Sequence, residues 1–251
     1  MSKMFLRYGE KDYYADLVSP SDAKASDLII RKGGTNYALQ RVTTNGTQVG
    51  SLDLYDLCDN EWTVYGSPTI SSDVSKFGKS LYLNGSSLIR TTNDYTLGDT
   101  DFTIDAWVNI LQYCDRSDTG RAIFNFNSNT WHIAVFYGGQ MSWQQNIGGA
   151  YIQTNAAVPK NEWHHIAVTH RKSANLTSLY LDGALQSTLN ETITMLTGKL
   201  TVGLHAYQTR YFIGYLDEFR ISNCARWTEN FTPPTAQYTK DGNTLVLLRA
   251  K

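Results

Sequence analysis

The chain has 251 residues, of which 41% are hydrophobic and 12% aromatic, and its formal net charge is −1 at pH 7. This composition can supply a buried core and excludes a disordered chain. The small net charge gives no electrostatic reason to expect binding to nucleic acid or to an anionic membrane. The first residues contain no long apolar segment, and no run approaches the ~20 apolar residues of a membrane helix. We therefore expect a soluble protein without a signal peptide that does not insert into a membrane.

The first part of the chain contains a weak internal repeat with a constant offset of 24 residues. The paired positions are Arg7 with Arg31, Gly9 with Gly33, Tyr13 with Tyr37 and Val18 with Val42. Each copy has the pattern of a β-hairpin, with predicted turns at Gly9-Glu10 and Gly33-Gly34. Because isolated hairpins are marginal in water, we expect residues 1–48 to form a hairpin pair that serves in docking or oligomerisation.

From about Ser51 the sequence consists of short runs in which apolar and polar residues alternate, separated by well-marked turns. Asp182-Gly183 lies between two such runs and is typical of a two-residue hairpin turn. Many short strands joined by short turns predict an antiparallel sandwich or jelly roll over residues 51–251. No helical period of useful length occurs in this part.

Four segments of this part carry a family resemblance, and they occur in the family's order. They are residues 76–85 (KFGKSLYLNG), 102–108 (FTIDAWV), 163–183 (from WHHIAV to LYLDG) and 216–221 (LDEFRI). They resemble strands of the laminin-G-like, concanavalin A-like jelly-roll family. The resemblance implies an all-β fold: an antiparallel concanavalin A-like (laminin-G-like) jelly-roll sandwich preceded by the small N-terminal β-hairpin module. It also implies a domain that binds ligands, since only some members of the family cut them.

Two further segments resemble the variant of this domain that is common in bacteriophage tail and fibre proteins, residues 68–78 and 225–234. This resemblance implies a virion protein that is made in the host cytoplasm, in agreement with the missing signal peptide. The N-terminal region would dock onto other virion proteins, and the jelly roll would hold a host-surface glycan or protein. Repeated placement makes a weak site useful through avidity, so we expect a homo-oligomer.

The sequence offers little support for an enzyme. Glycoside hydrolysis needs two carboxylates that face each other across the sugar. The jelly-roll glucanases carry theirs as E-x-D-x-x-E on one strand face, a pattern that this sequence lacks. Asp217 and Glu218 are adjacent and therefore point to opposite faces of a strand. We expect no catalysis, with a glycan-active hydrolase of the same fold and a purely structural virion decoration protein as the alternatives.

A sugar-binding platform is predicted around the segment 141–146, MSWQQN. Sugars bind to aromatic faces with amides around them, and Trp143 is followed by Gln144 and Gln145, which can hydrogen-bond hydroxyl groups. Tyr113 and Tyr151 lie in or near loops and complete the predicted set. The alternative for Trp143 is a place in the core, the commoner position of a tryptophan in a strand.

Calcium is the cofactor that the resemblance implies, because several laminin-G-like modules hold a calcium ion at the edge of the sandwich. The matching positions in this sequence are Asp56 and Asp217. The Gly-rich loop that follows the first acidic residue in the family is replaced here by residues 57–60, LCDN. The alternative for Asp217 is a cap or a pairing partner within the sheet.

Overall fold

The computed structural model describes residues 3–8, 11–16, 28–32, 35–39, 47–116, 120–126, 131–145, 149–193, 195–205 and 210–251. The chain divides into two compact units, residues 1–45 and 46–251, which we treat separately. In the described ranges, no helix has both the length and the apolar character needed to span a membrane.

The first unit contains two antiparallel hairpins. Their strands are β1 (Lys3–Tyr8), β2 (Lys11–Asp16), β3 (Leu28–Lys32) and β4 (Thr35–Leu39). Arg7 is the register partner of Asp12 in the first hairpin, and Arg31 is that of Asn36 in the second. The two hairpins therefore share the offset of 24 residues that the sequence repeat predicts. The predicted turns at Gly9-Glu10 and Gly33-Gly34 lie outside the described residues.

In the described residues of the second unit, the regular secondary structure is β-strand apart from one 3-10 turn at Lys172–Ala174. Its strands in chain order are β5 (Thr47–Gln48), β6 (Leu54–Asp56), β7 (Trp62–Tyr65), β8 (Thr69–Ser71), β9 (Ser80–Asn84), β10 (Leu88–Thr91), β11 (Tyr95–Leu97), β12 (Phe102–Ile110), β13 (Gly120–Phe126), β14 (Trp131–Phe136), β15 (Met141–Gln144), β16 (Tyr151–Gln153), β17 (Trp163–Arg171), β18 (Leu176–Leu181), β19 (Ala184–Asn190), β20 (Leu196–Gly198), β21 (Leu200–Val202), β22 (Leu204–His205), β23 (Arg210–Tyr211), β24 (Ile213–Ser222) and β25 (Thr244–Ala250).

Two large sheets form the sandwich. The nine-stranded sheet has the order β16-β15-β14-β13-β21-β10-β7, with β22 and β23 attached beside β13. The ten-stranded sheet has the order β19-β18-β17-β12-β24-β25-β6-β5, with β9 pairing β24 and β8 pairing β9. Several neighbours in these sheets are distant in sequence, such as β13 and β21 or β12 and β24, as in a jelly roll. The predicted all-β jelly-roll sandwich is confirmed.

The core lies between the two sheets because successive side chains of a strand point to opposite faces, and the apolar ones point inwards. In β12, Ile104, Ala106 and Val108 belong to the core, whereas Asp105 and Trp107 point away from it. Rings from the two sheets meet across the core: Phe124 of β13 stacks on Phe219 of β24 at 5.7 Å between ring centroids. Alternation of this kind fixes which side chains remain available on the outer faces.

Residues 223–243, which we call the C-terminal strap, connect β24 to β25 and pack against the outer face of the ten-stranded sheet. The backbone N–H of Phe231 donates to the carbonyl of Gly183 at 2.9 Å, and that of Tyr238 donates to Glu218 at 2.8 Å. The ring of Trp227 stacks on that of Phe231 at 4.0 Å. The strap thereby buries part of this face, including charged side chains.

Candidate functional site

A row of polar side chains crosses the outer face of the nine-stranded sheet. Residues in direct antiparallel register point to the same side of a sheet. The register connects Arg90, Thr201, Asn125, His132, Gln144 and Tyr151 in that order. The next row turns the other way, into the core, and contains Ile89, Val202, Phe124, Ile133, Trp143 and Ile152. We call the first set the outer polar row.

One end of the outer polar row forms a pocket of about 160 Å³. Its lining consists of Arg90, Asp94, Asn125, Thr197, Gly198, Lys199 and Thr201. Hydroxyl, amide, carboxylate and cationic groups therefore converge on one small space. Such a set offers both donors and acceptors, which is what recognition of a hydroxyl-rich ligand requires.

The guanidinium of Arg90 is held in place from two sides. Its Nε donates to Oγ1 of Thr201 at 3.0 Å. The guanidinium carbon lies 5.6 Å from the ring centroid of Tyr65, which is itself 46% exposed. In the described part of the chain, the two terminal nitrogens of Arg90 have no hydrogen-bond partner. Their fixed fork remains available for a ligand.

Lys199 is the second cation of the pocket, and it is already paired. Its Nζ lies 3.0 Å from Oδ1 of Asp94 and also donates to the carbonyl of Thr92. Both members of the ion pair are about half exposed, so the pair contributes little to stability. Its effect on the pocket is to neutralise Lys199, and Arg90 remains as the positive charge without a counter-ion.

Trp143 lies in the core, the alternative that the sequence left open. It is fully buried and packs against Phe102 and Trp131, with ring centroids 6.0 and 5.9 Å away. Its indole N–H donates to Glu191 at 3.2 Å, and burial raises the pKa of this carboxyl. No face of the indole is open to a sugar, because Trp143 belongs to the core-facing row of β15. The predicted role of Trp143 as an exposed platform is thus corrected.

The other predicted binding residues are divided between the outer polar row and its surroundings. Gln144 and Tyr151 are register partners on the row, and Tyr151 is 57% exposed. Gln145 follows β15 and donates to the carbonyl of Thr192 at 3.4 Å. Tyr113 is half-buried, and its hydroxyl donates to the carbonyl of Val158 at 2.6 Å. The hydroxyl of Tyr113 is therefore already engaged within the protein.

Asp56 does not fit the calcium site that the resemblance implies. Its carboxylate is fully buried and accepts hydrogen bonds from the backbone of Cys58, the amide of Asn60 and the indole of Trp62, each at 2.8 Å. A weaker bond comes from the backbone of Leu247 at 3.4 Å. N–H groups that point at both oxygens exclude a cation from them, since calcium needs oxygen ligands.

Asp217 is also buried, but only one of its two carboxylate oxygens accepts hydrogen bonds within the described residues. Its Oδ2 accepts from the backbone N–H groups of Phe77 at 2.9 Å and Lys76 at 3.3 Å, whereas Oδ1 has no partner within the described residues. Burial raises the pKa of Asp217 to about 7, against the effect of the hydrogen bond from Phe77. Over the described ranges, no group of three His, Cys, Asp or Glu side chains is placed to hold a metal ion.

Sequence reasoning missed the residues that build the pocket. Arg90, Asn125, Lys199 and Thr201 come from three different strands and one connection. The alternation within β10 and β13 predicts which side chains share a face, but β21 separates these strands in the sheet. That pairing order is a long-range property that no local pattern in the sequence reveals.

The family is decided by comparison with known sequences. The profile of the concanavalin A-like lectin/glucanases superfamily matches residues 83–230. The chain belongs to this superfamily. The match includes Arg90, Asn125, Lys199 and Thr201, so the whole pocket lies within the superfamily domain. No curated protein sequence matches the chain.

Solved structures share this concanavalin A-like fold at low sequence identity. Domain 4 of AbnA, a GH43 extracellular arabinanase from Geobacillus stearothermophilus solved in complex with arabinotriose, is 18% identical. It superposes with a TM-score of 0.52 over 65% of this chain and 82% of that domain. The cellulose induced protein Cip1 is 12% identical, with a TM-score of 0.50 over 64% of this chain and 91% of that protein. At these identities the similarity establishes the fold alone.

Proposed function

We propose that the protein is a non-catalytic glycan-binding protein and that the outer polar row is its binding face. The observation that carries the proposal is the guanidinium of Arg90, which is held rigid while its terminal nitrogens are free to donate to a ligand. Thr201 contributes a hydroxyl group to the lining of the same pocket. The superfamily and the arabinotriose complex of AbnA domain 4 support this chemistry.

The pocket favours binding over hydrolysis. Among its described lining residues, Asp94 is the one carboxylate, and Lys199 neutralises it at 3.0 Å. Hydrolysis requires a carboxyl group that donates a proton and a second one that acts as nucleophile or base. The buried acids Asp105 and Glu218 are bonded to Arg220 and Arg249 on the other sheet. None of these groups forms a pair of facing carboxylates in the pocket.

The binding experiment is a glycan-array screen of the full chain, run with calcium and with a chelator. Arg90→Gln replaces the charged guanidinium fork with a neutral amide, and we expect at least about a tenfold loss of affinity for the hits, the size of one charge-assisted contact. Lys240→Ala, on the exposed part of the strap, is the control and should bind as the wild type. Because Asp56 is surrounded by donors, we expect the same hits with the chelator. A blank array, or unchanged binding by Arg90→Gln, would overturn the proposal.

The same samples test the absence of catalysis. Prolonged incubation with each bound glycan should release no reducing ends, since the described lining of the pocket contains a single carboxylate, that of Asp94. Steady release that is lost in Asp94→Asn would instead identify a hydrolase.

The biological setting we propose is a virion adhesin. The support is the resemblance of residues 68–78 and 225–234 to phage tail and fibre proteins, together with a separate N-terminal unit of two hairpins. In this setting the hairpins attach to other virion proteins, and several copies of the jelly roll hold host-surface glycans with combined strength. Antibodies against the full chain should label phage particles from the source that encodes it. Particles without label would overturn this placement.

A further inference from the structure

A second row of side chains crosses the outer face of the other, ten-stranded sheet. The register connects Thr69, Tyr82, Tyr215, Asn109 and Trp163 in that order, on β8, β9, β24, β12 and β17. The rings of Tyr82 and Tyr215 lie 4.9 Å apart at an interplanar angle of 33°. We call these five residues the aromatic row. None of them carries a charge.

The amide of Asn109 forms the floor of the aromatic row. The residue is 5% exposed, and its Oδ1 has no hydrogen-bond partner in the described part of the chain. Tyr215 and Trp163 are its register partners on the two neighbouring strands. A buried acceptor without a partner is unfavourable, and proteins rarely keep one without a reason. A ligand hydroxyl over the row would satisfy it.

The chain segments that cover the neighbouring row on this face leave the aromatic row open. In the preceding row, Trp107 is covered by Phe77, edge-on at 6.0 Å, and by Nζ of Lys76 at 3.7 Å from its ring. His165 in that row is bonded to the hydroxyl of Tyr238 on the strap at 2.9 Å. Tyr82, Tyr215 and Trp163, by contrast, all remain partly exposed.

We infer that the aromatic row is a second carbohydrate site, one that takes a neutral oligosaccharide. The faces of Tyr215 and Trp163 pack against the C–H faces of pyranose rings, and Oδ1 of Asn109 accepts a hydrogen bond from a sugar hydroxyl. Three strand spacings separate Tyr82 from Trp163, about 14 Å in total, so the row is longer than one sugar ring. The absence of charge in the row distinguishes its ligand from that of the Arg90 pocket.

The two sites lie on the outer faces of opposite sheets. One domain could therefore hold two glycan chains at once, and the second site does not depend on the first. This goes beyond the proposed function, which concerns only the outer polar row.

The test follows the side-chain amide of Asn109 by NMR in the ¹⁵N-labelled full chain. Cellohexaose, maltohexaose and chitohexaose are titrated separately as neutral probes. We expect at least one to shift the Asn109 amide signal in a saturable way, with the same response in Arg90→Gln. Tyr215→Ala should weaken this binding by about tenfold or more, whereas Tyr215→Phe, which keeps the ring, should bind as the wild type.

Asn109→Leu separates binding from folding. Because the amide makes no hydrogen bond to the described protein, this variant should unfold at the same denaturant concentration as the wild type or higher, yet lose the binding detected by quenching of tryptophan fluorescence. The inference is overturned if none of the three probes shifts the Asn109 signal, or if the shift persists unchanged in Tyr215→Ala.

Discussion

Asp105 and Arg220 form a bidentate ion pair under the C-terminal strap, with Nε and Nη2 of the guanidinium donating to the two carboxylate oxygens at 3.0 and 2.9 Å. The side chains are 0% and 7% exposed. Burial alone would raise the pKa of Asp105, but the hydrogen bond from His165 and the charge of Arg220 hold it below its ordinary value. The guanidinium also lies 4.1 Å from the ring centroid of Tyr238 on the strap. The pair thus connects β12 and β24 to the strap above them.

Breaking this pair from one side should be costly. Arg220→Met leaves the carboxylate of Asp105 buried without its counter-ion, and we expect a loss of about 3–5 kcal/mol in the free energy of unfolding. The double variant Arg220→Met/Asp105→Leu should recover most of this loss, because no charge is then left without a partner. Urea denaturation monitored by tryptophan fluorescence measures both.

The matched control is the exposed pair Lys172–Asp99, at 3.2 Å with side chains 47% and 72% exposed. Lys172→Met should cost no more than about 1 kcal/mol, because water screens this pair. Equal losses in the free energy of unfolding for Arg220→Met and Lys172→Met would show that water screens the Asp105–Arg220 pair as well.

The pH dependence of stability should carry a contribution from Asp217. Its pKa rises from 3.8 to about 7 on folding, so the folded state binds more protons than the unfolded state between these values. The contribution to stability is complete below pH 4 and is lost as the pH rises towards 7. Asp217→Asn should therefore match the wild type at low pH and exceed it at pH 8 by roughly 2–4 kcal/mol.

Urea denaturation at intervals between pH 4 and 8.5 measures this difference. Asp73→Asn, at an exposed position, serves as the control and should follow the wild type throughout. Parallel curves for Asp217→Asn and the wild type would contradict the prediction.

Trp143 should affect stability and leave recognition intact. Trp143→Ala opens a cavity in the core and should cost about 3–5 kcal/mol, whereas Trp143→Phe should fold and bind the same glycans as the wild type. Tyr151→Ala, at the exposed end of the outer polar row, should do the reverse: little change in stability and weaker binding. Denaturation curves and the glycan array together separate the two roles. Loss of binding by well-folded Trp143→Phe would return Trp143 to the site.

The turn that meets the strap should be sensitive to a single methyl group. Gly183 has φ +77°, and a Cβ there would lie 1.8 Å from the carbonyl oxygen of Phe231. Gly183→Ala combines an unfavourable backbone conformation with this clash, and we expect a loss of at least about 2 kcal/mol. Gly242→Ala, with nothing within 4 Å, is the control and should change thermal stability little. Similar melting temperatures for both variants would show that the strap is held loosely at Phe231.

The sequence predicted those features that depend on neighbours along the chain. Asp182-Gly183 is a turn with positive φ at both residues, as its dipeptide predicts. The alternation in MSWQ assigns Trp143 and Gln144 to opposite faces, but it does not say which face is buried. Asp105 and Arg220, which form an ion pair, are 115 residues apart in the sequence. Arg90 and Asn125 share one face of the sheet because β21 pairs with both of their strands. Such contacts depend on strand order, which local patterns do not contain.

A single strand, β6, separates the first and last strands of residues 46–251. Thr47 on β5 pairs with Asp56 on β6, which pairs with Leu248 on β25, and the backbone N–H of Lys251 donates to Asp53 at 2.8 Å. Both ends of the sandwich therefore leave from one edge. A short peptide could join them, with new ends opened at an exposed turn such as Gly242, and the circularly permuted domain should keep its fold. For the same reason, the domain could be spliced into a loop of another protein without separating the two sides of the insertion point.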